Sequence, residues 1–139
     1  MNARIALDFI RAINEHDLER LCSLMTDDHA FVDSQDNKVI GREEMCRVWK
    51  EYFSWFPDYH IEINDVLEKQ DVVVITGFAN GTWKNLKSEV KDSSFIVPAA
   101  FKVIIKDSKV ELWQVFADAS RMMEVVKRNT TIPETDLSE

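Results

Sequence analysis

Proton-transfer chemistry in this chain rests on few side chains. Among 139 residues there are three histidines, two cysteines and 25 acidic residues. His16 precedes Asp17 and reads as exposed. His29 and His60 could each serve as a base, but both read as surface or satisfied residues. Asp27-Asp28 has the look of a metal pair and reads instead as a helix stop. No His/Cys cluster has zinc-ligand spacing, so no metal site is expected. Asn80-Gly-Thr is a turn or bulge signal, and there is no Gly-rich phosphate loop. No Ser-His-Asp or Cys-His set follows from the residue order. Asp33 and Asp118 are left. A carboxylate partly desolvated by aromatics can abstract a proton next to a carbonyl. Each of the two also has a structural use. Asp33 opens the polar turn Ser34-Gln-Asp-Asn37, and Asp118, ahead of Ala119-Ser-Arg, is a preferred helix N-cap type.

The elements that must position these residues fall into two groups. Ile5, Phe9 and Ile13, with Ala6 and Ile10 adjoining, predict an amphipathic helix over roughly 2–15. Asp17 caps a second helix with Leu18, Leu21, Cys22 and Met25 on one face, ended by Asp27-Asp28. His29–Asp33 is strand-like. A third helix follows Gly41, carries Met45, Val48, Trp49, Tyr52, Phe53 and Phe56, and stops at Pro57. From Asp58 the period changes to two, with strands predicted over 59–64, 72–83, 95–105 and 110–117. Residues 85–94 read as a polar loop and Lys106–Lys109 as a hairpin turn. Asp118 opens a short last helix to about Lys127, and 129–139 reads as a loose polar tail.

Composition narrows the setting. A net charge of −8 gives no general attraction to nucleic acid or to anionic membrane surfaces. Charged residues interrupt the first 15 positions, so no secretory signal is expected, and no apolar run approaches the ~20 residues of a membrane span. Cys22 and Cys46 read as buried reduced thiols of a cytosolic protein, with a single disulfide as the alternative. The strands at 72–78, 95–105 and 110–117 are apolar on both faces and need cover on both. Helices can cover one. A homodimer packed sheet to sheet is expected to cover the other.

Five stretches carry a resemblance in their order and spacing: Asn14-Glu-His-Asp17, Leu24–Asp33, Gly41-Arg-Glu-Glu-Met45, Val97-Pro-Ala-Ala-Phe101 and Lys109–Asp118. From about Ile5 to Val126 the chain resembles the nuclear transport factor 2-like superfamily, in its SnoaL-like and ketosteroid isomerase-like branch. The resemblance implies an α+β fold in which a cone-shaped, curved antiparallel sheet wraps around the N-terminal helices, a cystatin-like α+β barrel. It implies one domain over 1–128, with the tail at 129–139. It also implies a deep apolar pocket, placed here on Phe9, Ile13, Trp49, Phe53, Phe56, Ala99, Phe101, Trp113 and Val115, with Ala117 and Val103 pointing the same way.

The same resemblance assigns roles and exposes departures. Asp33 aligns with the general-base aspartate of the ketosteroid isomerases, and Asp118 with an acid/base aspartate of SnoaL-like polyketide cyclases. The isomerases' two enolate donors fall on Phe9 and Ala99, which have none to give. Losing one such donor costs roughly 10²–10³ in rate, so steroid isomerisation by that mechanism is not expected. The epoxide-hydrolase Asp-Arg-Asp set has no equivalent, because Ala99 and Phe101 occupy its strand. The implied function is binding of a small apolar or aromatic carbonyl compound without a cofactor, with or without Asp-based isomerase or cyclase chemistry. A non-catalytic ligand-binding or protein-interaction domain is the alternative.

Overall fold

The computed structural model describes residues 2–84 and 93–138, with 131–138 as backbone only. The expected polar loop lies, but for Ser93 and Ser94, outside the described residues. Three helices come first: α1 (Asn2–Asn14), α2 (Leu18–Ser23) and, after strands β1 (Met25–Val32) and β2 (Lys38–Ile40), α3 (Arg42–Trp55). Then come β3 (His60–Lys69), β4 (Val72–Thr82), β5 (Ser94–Lys106), β6 (Lys109–Ala117) and α4 (Ser120–Ser138). The six strands form one curved, unclosed sheet in the order β2-β1-β6-β5-β4-β3. All neighbours are antiparallel except β1 and β6, which run parallel. The α+β cone expected from the sequence is therefore the fold.

Helix α1 lies against the sheet because its spacing puts Ala6, Phe9, Ile10 and Ile13 on one stripe, all buried. Its last residue ties it to β3: the Asn14 amide accepts from the Ile61 N–H at 2.7 Å and donates to the Ile61 carbonyl at 3.0 Å. Asp17 caps α2, its carboxylate accepting from the Arg20 N–H at 3.1 Å. That helix ends at Ser23, earlier than the periodicity implies. Met25 opens β1, and Asp27-Asp28 are strand residues and not a helix stop. The register of β1 on β6 shifts between Met25 and Ala30. Two adjacent exposed acids fit there because regular pairing lapses.

Two further points differ from expectation. Cys22 and Cys46 form a disulfide, with Cα atoms 5.8 Å apart, joining α2 to α3. They are not free thiols, because the two helices bring one face of each together. Helix α4 continues past Lys127 to Ser138 and passes through Pro133, since the local turn preference of Asn-Thr-Thr-Ile-Pro is only a weak prior. The turn between β5 and β6 conforms to its geometry without the favoured Asn-Gly pair. Asp107 and Ser108 take φ of 54° and 61°, as a two-residue I′ hairpin requires.

The core fills the concave side of the sheet. Phe9, Trp113 and Phe101 pack in series at centroid distances of 4.9 Å, the first pair tilted and the second stacked. Residues on the convex side are left open: Ile96 is 69% exposed, Leu67 64% and Phe116 51%.

Candidate functional site

The strand period of two builds one wall of a cavity. Phe95, Val97, Ala99 and Phe101 alternate inward along β5, and Trp113, Val115 and Ala117 along β6. Register brings Phe101 opposite Val115 and Ala99 opposite Ala117. Helix α3 supplies Met45, Val48, Trp49, Tyr52 and Trp55, a face recurring every three or four residues. Tyr59, Ala79 and Phe31 join them, and α4 adds Met122, Met123 and Val126. The space they enclose is about 570 Å³. Polar side chains enter its lining at one turn, Asp33, Ser34, Gln35 and Asn37, and at Lys127 and Thr130 on α4. The two groups touch: the Gln35 amide donates to the Met123 sulfur at 3.4 Å. A volume of a few hundred Å³ with an apolar, aromatic wall is what a small organic ligand requires.

Both suspected carboxylates are engaged by backbone. Asp33 Oδ1 accepts from the N–H groups of Gln35 and Asn37, each at 2.9 Å, and Oδ2 accepts from the Asn37 amide at 3.1 Å. The Asp33 N–H in turn donates to the Asn37 carbonyl at 2.9 Å. The residue thus sits in the cavity lining while organising the turn. Asp118 is exposed and outside the lining. Its Oδ1 accepts from the Ser120 N–H at 3.0 Å, at the start of α4. Bonds from the Ser120 hydroxyl and N–H hold the Asp118 carboxyl below the usual carboxylate range, the direction opposite to that of a strong base.

The histidines do not converge. His16 stacks on Phe53 at 4.2 Å and shares its Nε2 with the Tyr59 carbonyl at 2.7 Å. His60 is exposed. His29 is fully buried, with Nδ1 2.8 Å from the Val110 carbonyl and Nε2 without a partner. Burial pushes its pKa down, against the weaker upward pulls of Val110 and Asp28. Among the described residues no group of three or more acids, histidines or cysteines could hold a metal ion. Also among them, no helix is long and apolar enough to cross a membrane.

Residues 6–124 match the family model of the SnoaL-like domain. The chain belongs to the SnoaL-like domain family. No curated protein sequence matches it. Solved structures share the fold at low identity. A protein described as a SnoaL-like polyketide cyclase from Shewanella putrefaciens is 16% identical, with a TM-score of 0.76 over 91% of this chain and 96% of that one. A hypothetical protein of ketosteroid isomerase-like fold from Catenulispora acidiphila, in complex with trimethylamine, is 19% identical, with a TM-score of 0.74 over 86% and 89%. An LEH-like epoxide hydrolase of M. tuberculosis is 12% identical, with a TM-score of 0.75 over 97% and 96%.

Within this SnoaL-like domain the residues assigned to the pocket from sequence separate into two sets. Trp49, Ala99, Phe101, Trp113 and Val115 line the cavity. Phe9, Ile13, Phe53 and Phe56 do not, because other side chains come between. Phe9 lies behind Trp113 and beside His29, and Ile13 is buried on the same helix. Phe53 faces His16, and Phe56 is packed edge-on to Phe95 and Trp83. Phe9 is therefore doubly removed from a donor role, by chemistry and by position. Sequence reasoning left out Phe31, Tyr52, Trp55, Tyr59, Phe95 and Val97. The β5 alternation already reached Phe95 and Val97. Tyr59 falls on the apolar alternation of 59–64, but that period does not say which of its residues reaches the cavity.

Proposed function

We propose that this SnoaL-like domain binds a small, flat apolar or aromatic carbonyl compound in the cavity bounded by α3, α4 and the concave sheet, and that neither Asp33 nor Asp118 acts as acid or base there. The observation that carries this reading is the pairing of an aromatic cavity of about 570 Å³ with two carboxylates already bonded to backbone N–H groups. A pair of like chains packed through the convex sheet face would cover Ile96, Leu67 and Phe116.

A second reading, proton transfer by Asp33, draws on its place in the cavity lining. One probe, 2-acetylnaphthalene, separates the two. Calorimetric titration should show saturable binding at one site per chain, unchanged within about twofold in Asp33→Asn and Asp118→Asn, each of which keeps the one oxygen that accepts from backbone N–H groups. In deuterated buffer, NMR should show no exchange of the probe's acetyl protons above the buffer rate. Exchange catalysed by the native chain and lost in Asp33→Asn would establish the second reading in place of the first.

A further inference from the structure

One corner of the cavity is chemically unlike the rest. Trp49 and Tyr52 on α3 and Tyr59 just beyond it all line the cavity, with ring centroids 4.9 to 6.3 Å apart. Tyr52 and Tyr59 meet edge to face at 4.9 Å. Among the described residues neither tyrosine hydroxyl has a hydrogen-bond partner. Neither is sealed from access, unlike the unpartnered His29 Nε2 and Trp49 Nε1. Burial raises the pKa of both phenols well above the ordinary tyrosine range, and the nearness of Tyr59 adds to the effect on Tyr52. Both therefore remain neutral O–H donors at any physiological pH. A donor held in apolar surroundings is costly until an acceptor meets it.

A carbonyl oxygen has two lone pairs and can take two donors at once. We propose that the Tyr52 and Tyr59 hydroxyls form a donor pair that binds one uncharged carbonyl oxygen, supplying the contact that Phe9 and Ala99 cannot. Uncharged donors in an apolar corner do not repay the desolvation of a carboxylate, so the ligand class is a neutral ketone, ester or amide on a flat apolar body. The aromatic wall of Phe101, Trp113 and Val115 would take that body. The proposal rests on the ligand-binding reading above and adds to it the polar anchor and the residues that form it.

The test compares two probes of like shape, 2-acetylnaphthalene and 2-ethylnaphthalene, on the native protein, Tyr52→Phe and Tyr59→Phe. One hydrogen bond corresponds to roughly a two- to tenfold change in affinity. The native protein should prefer the acetyl probe by about tenfold or more, and each phenylalanine variant should lose a roughly two- to tenfold share of that preference. Affinity for the ethyl probe and the melting temperature should not fall in either variant, because the hydroxyl removed has no partner in the free protein. Equal binding of the two probes by the native protein, or a preference untouched in both variants, would overturn the donor pair and leave the ligand-binding reading standing. Binding of neither probe would overturn both.

Discussion

His29 can take up a proton only at the cost of burying a charge. It is sealed between Phe9 and the Val110 carbonyl, and its folded pKa lies below the ordinary 6.5. The unfolded chain therefore binds this proton first as pH falls. The stability linked to a neutral His29 is present in full above about pH 6.5 and is lost as pH drops toward the folded pKa. Thermal melts should show the native protein losing stability between pH 7 and pH 5.5, with a shallower loss in His29→Phe; equal slopes would count against this. Asp33 makes a second prediction at this scale. Asp33→Ala leaves two backbone N–H groups and the Asn37 amide without their acceptor, and should cost about 2 kcal/mol in urea unfolding. Asp33→Asn should cost less than half of that. The structural uses of both aspartates were legible in the sequence, from the turn cluster after Asp33 and the helix start after Asp118. The partnering of Tyr52 with Tyr59 was not, since they lie on either side of the Pro57 break and meet only through the tertiary fold.

The strands carry their own constraints. Gly77 on β4 sits opposite Ile63, where the β3 register shifts, and a Cβ there would overlap the Glu62 carbonyl oxygen. Backbone cannot yield as a side-chain tip does. Gly77→Ala should therefore destabilise the fold by on the order of 3 kcal/mol, or prevent its recovery in soluble form. Near-native stability would refute this close approach. The α2–α3 disulfide joins residues 24 apart, for which the chain-entropy estimate is about 3.5 kcal/mol. Reduction, or Cys22→Ser with Cys46→Ser, should lower the unfolding midpoint accordingly, and a midpoint insensitive to reductant would contradict it. Pattern was most informative where a period ran unbroken. Alternation along β5 and β6 already named Ala99, Phe101, Trp113 and Val115 as one face. It failed at the α2–β1 junction, where Met25 keeps the helical spacing of Leu18, Leu21 and Cys22 yet begins a strand. Cysteine pairing was equally illegible, because a separation of 24 residues says nothing of distance until two helices pack.

For the molecule as a whole, the convex sheet face and the concave cavity pose separate questions. If two chains cover Ile96, Leu67 and Phe116 by packing sheet to sheet, light scattering at micromolar concentration should report twice 16.2 kDa, and Phe116→Arg should return the mass to one chain. A monomer at that concentration would dismiss the pairing without touching the cavity. The cone itself was legible only through the family resemblance that the order and spacing of the elements carried, because helices followed by strands fix an α+β class and not the curvature of the sheet. What the order of elements could not convey is which aromatics reach open space and which, like Phe9 and Phe56, stand behind others. Trp49, Trp55 and Trp113 all border the cavity and can report on its contents directly. The central claim is therefore tested by tryptophan fluorescence during titration with 2-acetylnaphthalene, on the native protein and on Ala99→Phe, whose larger side chain would fill the wall. Saturable quenching at one probe per chain, weakened at least tenfold in Ala99→Phe, is the predicted result. Quenching that never saturates, or that Ala99→Phe leaves unchanged, would contradict the account.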